Sequence, residues 1–510
     1  MCISLRSALN KLTSFAVFTV ALCFVLQSAS AEPLDGAVIT GSSVYSPEAL
    51  FPLYRESLGH EADPLRTRSI LANIESRYVQ DGYLKPRLVM RDELLKEGIL
   101  RVDVYEVRLT DVRISGDGGP HQVRIARLQQ QLLAQPPLKQ GTIALALERL
   151  RALPGLRVDA RTQVDAATPN GVILLLHVVY QPISASVEWT NFGTQEIGPH
   201  FISTGVTANG LLGGREQLKV LLITATDYNN YHGAGLTFTT PLNDLGTTLS
   251  LNGFRSRSEP TFGGPPVELA FPHDVANLQL TQSLLATGSQ TINAFIGYDY
   301  DDSIIRYEGV ALESDRLRVA EAGLQFDGQV AGLPYGATIG VRHGLDAFGA
   351  GVATINGATL ATNYTLAVGR AVLIVPWSGV FSSRISVLGQ WTGDVLPYDE
   401  RFKIGSDILA RAFKTAEFAG DDGMGLKAEM RARILALSTR YGVPTLFGYS
   451  DYGEAWQHDV AAELHAATVG MGMKWDSAHL GASVEWAKPV AVSAGAPTDW
   501  TVLGDVTLSF

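Results

Sequence analysis

The chain has 510 residues, too many for one small domain, and a net charge of −11, which argues against a nucleic-acid binder with its expected basic face. Charged residues are 18 %, below the usual quarter, and the 51 glycines exceed the usual share, a composition that fits a lipid-facing sheet with many turns. Both cysteines, Cys2 and Cys23, fall in the first 31 residues, so a disulfide scaffold, thiol catalysis and thiolate metal sites are excluded from the rest.

Residues 1–31 read as a secretory signal peptide. Arg6 and Lys11 supply the positive start, Phe15 to Leu26 the apolar run, and Ala29-Ser30-Ala31 a small-x-small cleavage site before Glu32. The apolar run is about 12 residues, where a helical span needs ~20. A lipid-anchor role for Cys23 is disfavoured by the bulky Leu22 before it. No other segment approaches a helical span, which leaves a periplasmic protein, a secreted one or a membrane barrel.

Residues 37–108 read as a compact α/β unit. Ser46-Pro47-Glu48 predicts a helix start, with a capping Ser, Pro at the first helical position and an acid at the positive dipole end. A second helix follows Asp63-Pro64, with Ile70, Leu71, Ile74 and Tyr78 as its apolar stripe and Gly82 as its stop. Strands are expected over Leu84–Met90 and Ile99–Val107. The pattern repeats over 109–181: a short strand at Val112–Ser115, helices over Val123–Leu133 and Ile143–Leu153, then strands over Leu156–Val164 and Val172–Tyr180. These tandem units resemble POTRA domains, the run from Leu147 to Leu156 resembling that family's second-helix signature and Tyr78 to Leu84 its counterpart. Such units expose sheet edges, and an unpaired edge can take up an extended chain through main-chain hydrogen bonds.

From 182 to 510 the chain reads as about sixteen strands: 184–192, 200–209, 216–226, 231–240, 246–256, 273–285, 290–302, 315–329, 335–345, 362–375, 381–392, 425–438, 444–457, 464–475, 479–489 and 499–510. The even number suits a single-chain antiparallel membrane barrel, and lipid leaves no place for an open sheet edge. In the last strand Trp500, Val502, Val506, Leu508 and Phe510 share one parity; Thr501, Asp505, Thr507 and Ser509 share the other, with Leu503 the exception. An aromatic at the final position resembles the closing strand of an outer-membrane barrel, so Trp500, Leu508 and Phe510 are its expected closing signal. One connection, near 393–424, is long; it follows the eleventh strand and so is the sixth outer loop if the N-terminal units are periplasmic.

Within that loop, Phe402-Lys403-Ile404-Gly405 and Arg411-Ala412-Phe413 resemble the sixth-loop motif of two-partner secretion transporters of the haemolysin secretion/activation type. Ser406, Ala410 and Ala412 depart from the motif. Because Ala412 replaces a glycine, and Ala resists backbone angles that Gly admits, a changed turn is expected there. Gly420, Asp421 and Gly423 followed by Glu429 resemble the next block of the family. Tyr449, Asp451 and Gly453 resemble the thirteenth-strand block, and Asn191 and Gly193 the first-strand block.

The resemblance implies two POTRA domains followed by a sixteen-stranded outer-membrane β-barrel. It implies that the loop folds into the lumen, where Arg411 pairs with Asp451 through a forked, two-bond contact. It further implies a pore that captures a large unfolded exoprotein, adhesin-like or haemolysin-like, in the periplasm and exports it. The other expected partners are outer-membrane lipid and the barrel-assembly machinery. An insertase of membrane proteins is the alternative, and a diffusion porin a weaker one, since porins need no capture units. Some relatives carry a plug helix ahead of the first unit; few residues separate Ala31 from Ile39, so none is expected. No enzyme activity, cofactor or metal is expected: His200, His273 and His343 are scattered, Asp421-Asp422 lacks a calcium-loop pattern, and no phosphate loop is present.

Overall fold

The computed structural model describes residues 33–91, 97–134, 137–139, 141–227, 230–243, 245–262, 268–287, 289–353, 359–405, 408–413, 417–438, 442–459, 462–493 and 499–510. Residues 1–31, read above as a signal peptide, and Ser406 lie outside the described residues. The chain divides into two compact units, one ending at Val107 and one beginning at Arg108.

The first unit holds β1 (Gly36–Thr40), α1 (Pro47–Leu50), α2 (Pro64–Gln80), β2 (Arg87–Arg91) and β3 (Ile99–Tyr105). Its sheet runs β1-β3-β2, with β1 parallel to β3 and β2 antiparallel. Ser46 caps α1 by accepting from the Ala49 amide, and Asp63 caps α2 by accepting from the Arg66 amide at 2.7 Å. Ile70, Ile74 and Tyr78 of α2 pack on Leu100, Val102 and Val104 of β3, as the two periodicities predict. The strand expected from Leu84 starts at Arg87, since Pro86 has no N–H for a ladder.

The second unit opens with an α/β module: β4 (Arg108–Asp117), α3 (Gln122–Leu133), α4 (Thr142–Arg151), β5 (Leu156–Asp165) and β6 (Gly171–Tyr180). Its sheet runs β4-β6-β5, with β4 parallel to β6. β4 extends the expected Val112–Ser115 by four residues before it and two after it, where Arg108, Thr110 and Asp111 on one side and Gly116-Asp117 on the other interrupt the apolar pattern.

The barrel follows: β7 (Ile183–Thr190), β8 (Phe201–Asn209), β9 (Gln217–Ala225), β10 (Tyr231–Pro241), β11 (Thr247–Ser258) and β12 (Leu269–Ala286). Next come β13 (Gln290–Tyr307), β14 (Val310–Val330), β15 (Leu333–Gly344), the short β16 (Gly351–Ala353) and β17 (Thr359–Leu360), β18 (Thr365–Pro376) and β19 (Phe381–Thr392). Two short strands, β20 (Phe402–Ile404) and β21 (Phe418–Gly420), pair with each other inside the long connection. The wall ends with β22 (Asp422–Arg433), β23 (Val443–Gln457), β24 (Ala462–Asp476), β25 (Leu480–Val492) and β26 (Thr501–Ser509). Setting aside the short β16 and β17, sixteen antiparallel strands close into one barrel in sequence order.

On β26, Val502, Val506 and Leu508 point outward and stay exposed, as do the flanking Trp500 and Phe510, while Leu503 is 8 % exposed and faces the lumen. On β23, Leu446 and Tyr452 point out, and Phe447, Tyr449, Asp451 and Ala455 point in. The seam pairs β26 with β7 from Asp505↔Thr190 to Ser509↔Ser186. Phe510 extends it, its amide donating to the Ala185 carbonyl at 2.8 Å. At the other end Asn191 continues the ladder with its side chain: Oδ1 accepts from the Gly504 amide at 2.6 Å, and Nδ2 donates to the Val502 carbonyl at 2.9 Å.

The α/β module of this unit meets the barrel at one end. Tyr180 donates to the Asn209 carbonyl at 2.6 Å, and Thr291 donates to Glu148 at 3.0 Å. These contacts hold the β8–β9 and β12–β13 turns at the module end, so the connection after β19 lies at the opposite, outer end.

Candidate functional site

The connection from β19 to β22 turns back into the barrel. Phe402, Ile404, Leu409 and Phe413 of the loop are buried with Phe447, Tyr449, Ala455, Ala466, Ala487 and Leu503 of the wall. Leu503 breaks the polar parity of its strand for this reason: it lines the loop's seat. The wall is bare where the loop is bulky. A methyl group on Gly423 would overlap the Phe402 ring, and one on Gly453 would lie 2.8 Å from Leu409 and 3.0 Å from Ile404. Gly425 is equally close to Leu409, at 2.6 Å. The glycines on β22 and β23 are thus the holes into which loop side chains fit.

Arg411 sits at the centre of this seat. Its Nε donates to Asp451 Oδ2 at 2.9 Å and its Nη2 to Oδ1 at 3.3 Å, the forked contact expected. Two further acids converge: Glu485 accepts from Nη1 at 3.1 Å, and Glu429 lies 3.5 Å from Nη2. The guanidinium also stacks on the Tyr449 ring, 3.3 Å from its centroid. Asp451 is fully buried and Arg411 nearly so, which removes most of the water that weakens exposed pairs. One guanidinium therefore faces three carboxylates, of which Glu429 is shared with Arg431.

The remaining motif residues shape the loop's ends. Asp421, fully buried, accepts from the Leu396 amide and the His458 amide, each at 2.8 Å, and so ties the start of the loop to the β23 end. Gly420 lets β21 lie against β23, since a side chain there would meet the Trp456 backbone at 2.7 Å. Gly405 takes a φ of 102°, open to glycine, and its amide bonds the Leu409 carbonyl. Gly193 allows the Gly198 carbonyl to approach. The left-handed residue of this stretch is Ala410, fully buried with a φ of 59°, and not Ala412. Ala412 instead donates its amide to Thr468 at 3.3 Å.

A second clasp has no motif in the sequence. Arg342 of β15 forks onto Glu400 of the loop, at 3.0 and 2.7 Å, and also binds Asp299 and Glu321 at 2.7 and 3.0 Å. It inverts the first, with the arginine on the wall and an acid on the loop. Glu485 likewise belongs to no motif, and lies on the polar parity of its strand.

Residues 171–475 match the family of haemolysin secretion/activation proteins ShlB/FhaC/HecB. The outer membrane transporter CdiB of Dickeya dadantii (strain 3937) is 21 % identical over 479 residues, covering 86 % of this chain and 80 % of its own length. Among solved structures, CdiB from Escherichia coli superposes with a TM-score of 0.69 at 18 % identity, over 95 % of this chain and 92 % of that one. CdiB from Acinetobacter baumannii does so with a TM-score of 0.61 at 14 % identity, over 94 % and 90 %. Those likenesses carry the fold; the family match extends from β6 through the loop and its lock to β24, and the chain belongs to the ShlB/FhaC/HecB family of haemolysin secretion/activation proteins, transporters of the outer membrane.

Proposed function

We propose that this outer-membrane secretion transporter takes up one large unfolded exoprotein at its periplasmic modules and passes it through the barrel as the locked loop yields. The observation that carries the reading is the loop itself: a segment of the outer face seated in the lumen by ionic clasps, on the route a threaded chain must take. The α/β modules, read as two POTRA domains, supply the capture step. β5 is an edge strand with no further strand paired to it among the described residues, and its Val164 is 77 % exposed. Extended polypeptide can add there as a further strand.

The outward apolar residues contact lipid in this reading, and the barrel-assembly machinery recognises the closing strand through Trp500, Leu508 and Phe510. No catalytic step is required, because folding of the cargo outside biases its direction. The test is co-expression with a two-partner exoprotein of the full chain and of a chain lacking residues 37–180. Export is expected to stop in the shortened chain while ion conductance persists. Export that survives the deletion refutes capture by the modules.

A further inference from the structure

Facing the lumen on three consecutive strands, His273 of β12, Ser303 of β13 and Asp315 of β14 stand directly opposite one another. Asp301 lies two residues from Ser303 on the same face. The loop adds Asp399, whose Oδ2 accepts from Ser303 Oγ at 2.8 Å. His273 Nε2 and Asp301 Oδ1 are 2.8 Å apart, and ligand atoms of His273, Asp301 and Asp399 all lie within 4.8 Å of one another. Around a divalent ion with bonds of about 2.0–2.2 Å, neighbouring ligand atoms are about 3–4 Å apart, so a small inward movement of side chains closes the set.

Asp315 is the second observation. It is 4 % exposed, and its Oδ1 is buried with no hydrogen-bond partner. A buried carboxylate oxygen without a donor is costly unless something occupies the space before it. Asp301 and Asp399 neighbour this carboxylate, and the cation placed with them is Lys403, 3.5 Å from Asp399 Oδ1 and itself partly drawn over the Tyr398 ring. With Glu313 also beside Asp315, four carboxylates face one ammonium, an acidic excess that a divalent ion reduces.

We propose that His273, Asp301 and Asp315 of the wall and Asp399 of the loop form a site for a divalent transition-metal ion of the zinc class, which ties the loop to β12–β14. One imidazole with carboxylate oxygens suits such an ion better than calcium, which takes oxygens alone. Sequence spacing could not show the site, because its ligands come from four separate elements. It rests on the loop being seated in the lumen, and not on what the pore exports. The ion holds the loop near its start, on the opposite stretch of wall from Arg411.

The test is calorimetric titration of chelator-stripped, full-length protein with ZnCl2, together with single-channel recording. One saturable site per chain is expected, weakened at least tenfold in both His273→Ala and Asp399→Asn and unchanged in His458→Asn, which removes the other imidazole–carboxylate pair of the outer rim. Zinc is expected to reduce channel opening in the unaltered protein and to leave Asp399→Asn unaffected. Heat-modifiable migration checks that each variant is a folded barrel; Asp315→Asn, which keeps the shape of the side chain while removing its charge and one acceptor oxygen, stands in for any variant that fails this check. Absence of saturable binding, or equal binding in His273→Ala, Asp399→Asn and the parent, overturns the site. Because binding is read without cargo, a failure of export leaves this result standing, and the reverse also holds.

Discussion

Arg411→Ala is expected to unseat the loop far more than loss of one ion pair at a surface would. Charge centres about 4 Å apart at an effective dielectric of 20 attract by about 4 kcal/mol, and deleting one partner of a buried pair costs ~3–5 kcal/mol because the other is stranded. Here the deletion strands two carboxylates, Asp451 and Glu485, while Glu429 keeps Arg431; Asp451→Ala leaves the guanidinium with two acids. The arginine deletion should therefore be the worse of the two, and the double variant should lose little beyond it. The reporter is hydrogen exchange at the Ala412 amide, which bonds Thr468 in the seated loop. A loss of ~3 kcal/mol accelerates exchange about a hundredfold. A double-mutant coupling below ~0.5 kcal/mol, or less than fivefold faster exchange in Arg411→Ala, refutes the claim that these groups act as one lock.

Filling the cradle tests its other half: Gly453→Leu should cost ~1–3 kcal/mol of seating by overpacking against Leu409 and Ile404, seen as more frequent channel opening, and unchanged opening would show the glycine hole to be slack. Ala410→Gly should seat the loop more firmly by about 1 kcal/mol, because the left-handed backbone no longer strains a Cβ, and exchange at Ala412 should slow several-fold. Asn191→Ala removes two bonds that prolong the seam, so the barrel should lose ~1–3 kcal/mol and convert to its unfolded electrophoretic form at lower temperature. In the second module, burial and then Arg124 hold the His121 imidazole below its ordinary 6.5, against the opposing pull of its bond to the Pro154 carbonyl. The unfolded chain thus binds the proton first on acidification. Module stability should be full above about pH 6.5 and decline as pH falls from there through the depressed folded value, a dependence that His121→Phe should flatten in exchange measurements across β4–β6.

All sixteen wall strands were legible because lipid on one side and a polar lumen on the other impose alternation that survives in single sequences. The largest errors mark where that condition lapses. β14 runs 21 residues, twice what a span requires, and the part beyond the expected 315–329, Val310 to Ser314, lies at the outer end where no lipid enforces a pattern. β16, β17, β20 and β21 are two or three residues long and carry no period. Of the site, Arg411 and Asp451 were legible only through the motif. Glu485 looked like any lumen charge, and Arg342 with Glu400 joins residues 58 apart on elements whose proximity only closure of the barrel creates.

The two kinds of contact that hold the loop have different consequences when it leaves. The arginines and their acids stay charged and take up lumen water, so releasing them recovers much of what separating them costs. Phe402, Ile404, Leu409 and Phe413 have no such compensation: exposing four large apolar side chains costs at most about 6–12 kcal/mol. The wall left behind exposes Phe447, Tyr449 and Leu503 between its glycines and alanines, so the cost of opening is shared by loop and wall. An extended chain entering the lumen can lay alternate apolar side chains into the same glycine holes, but it cannot shelter those of the loop, which must find cover elsewhere or remain wet. Cargo therefore has to outcompete the apolar contacts rather than the ionic ones, and the arginine clasps set where the loop returns once the chain has passed.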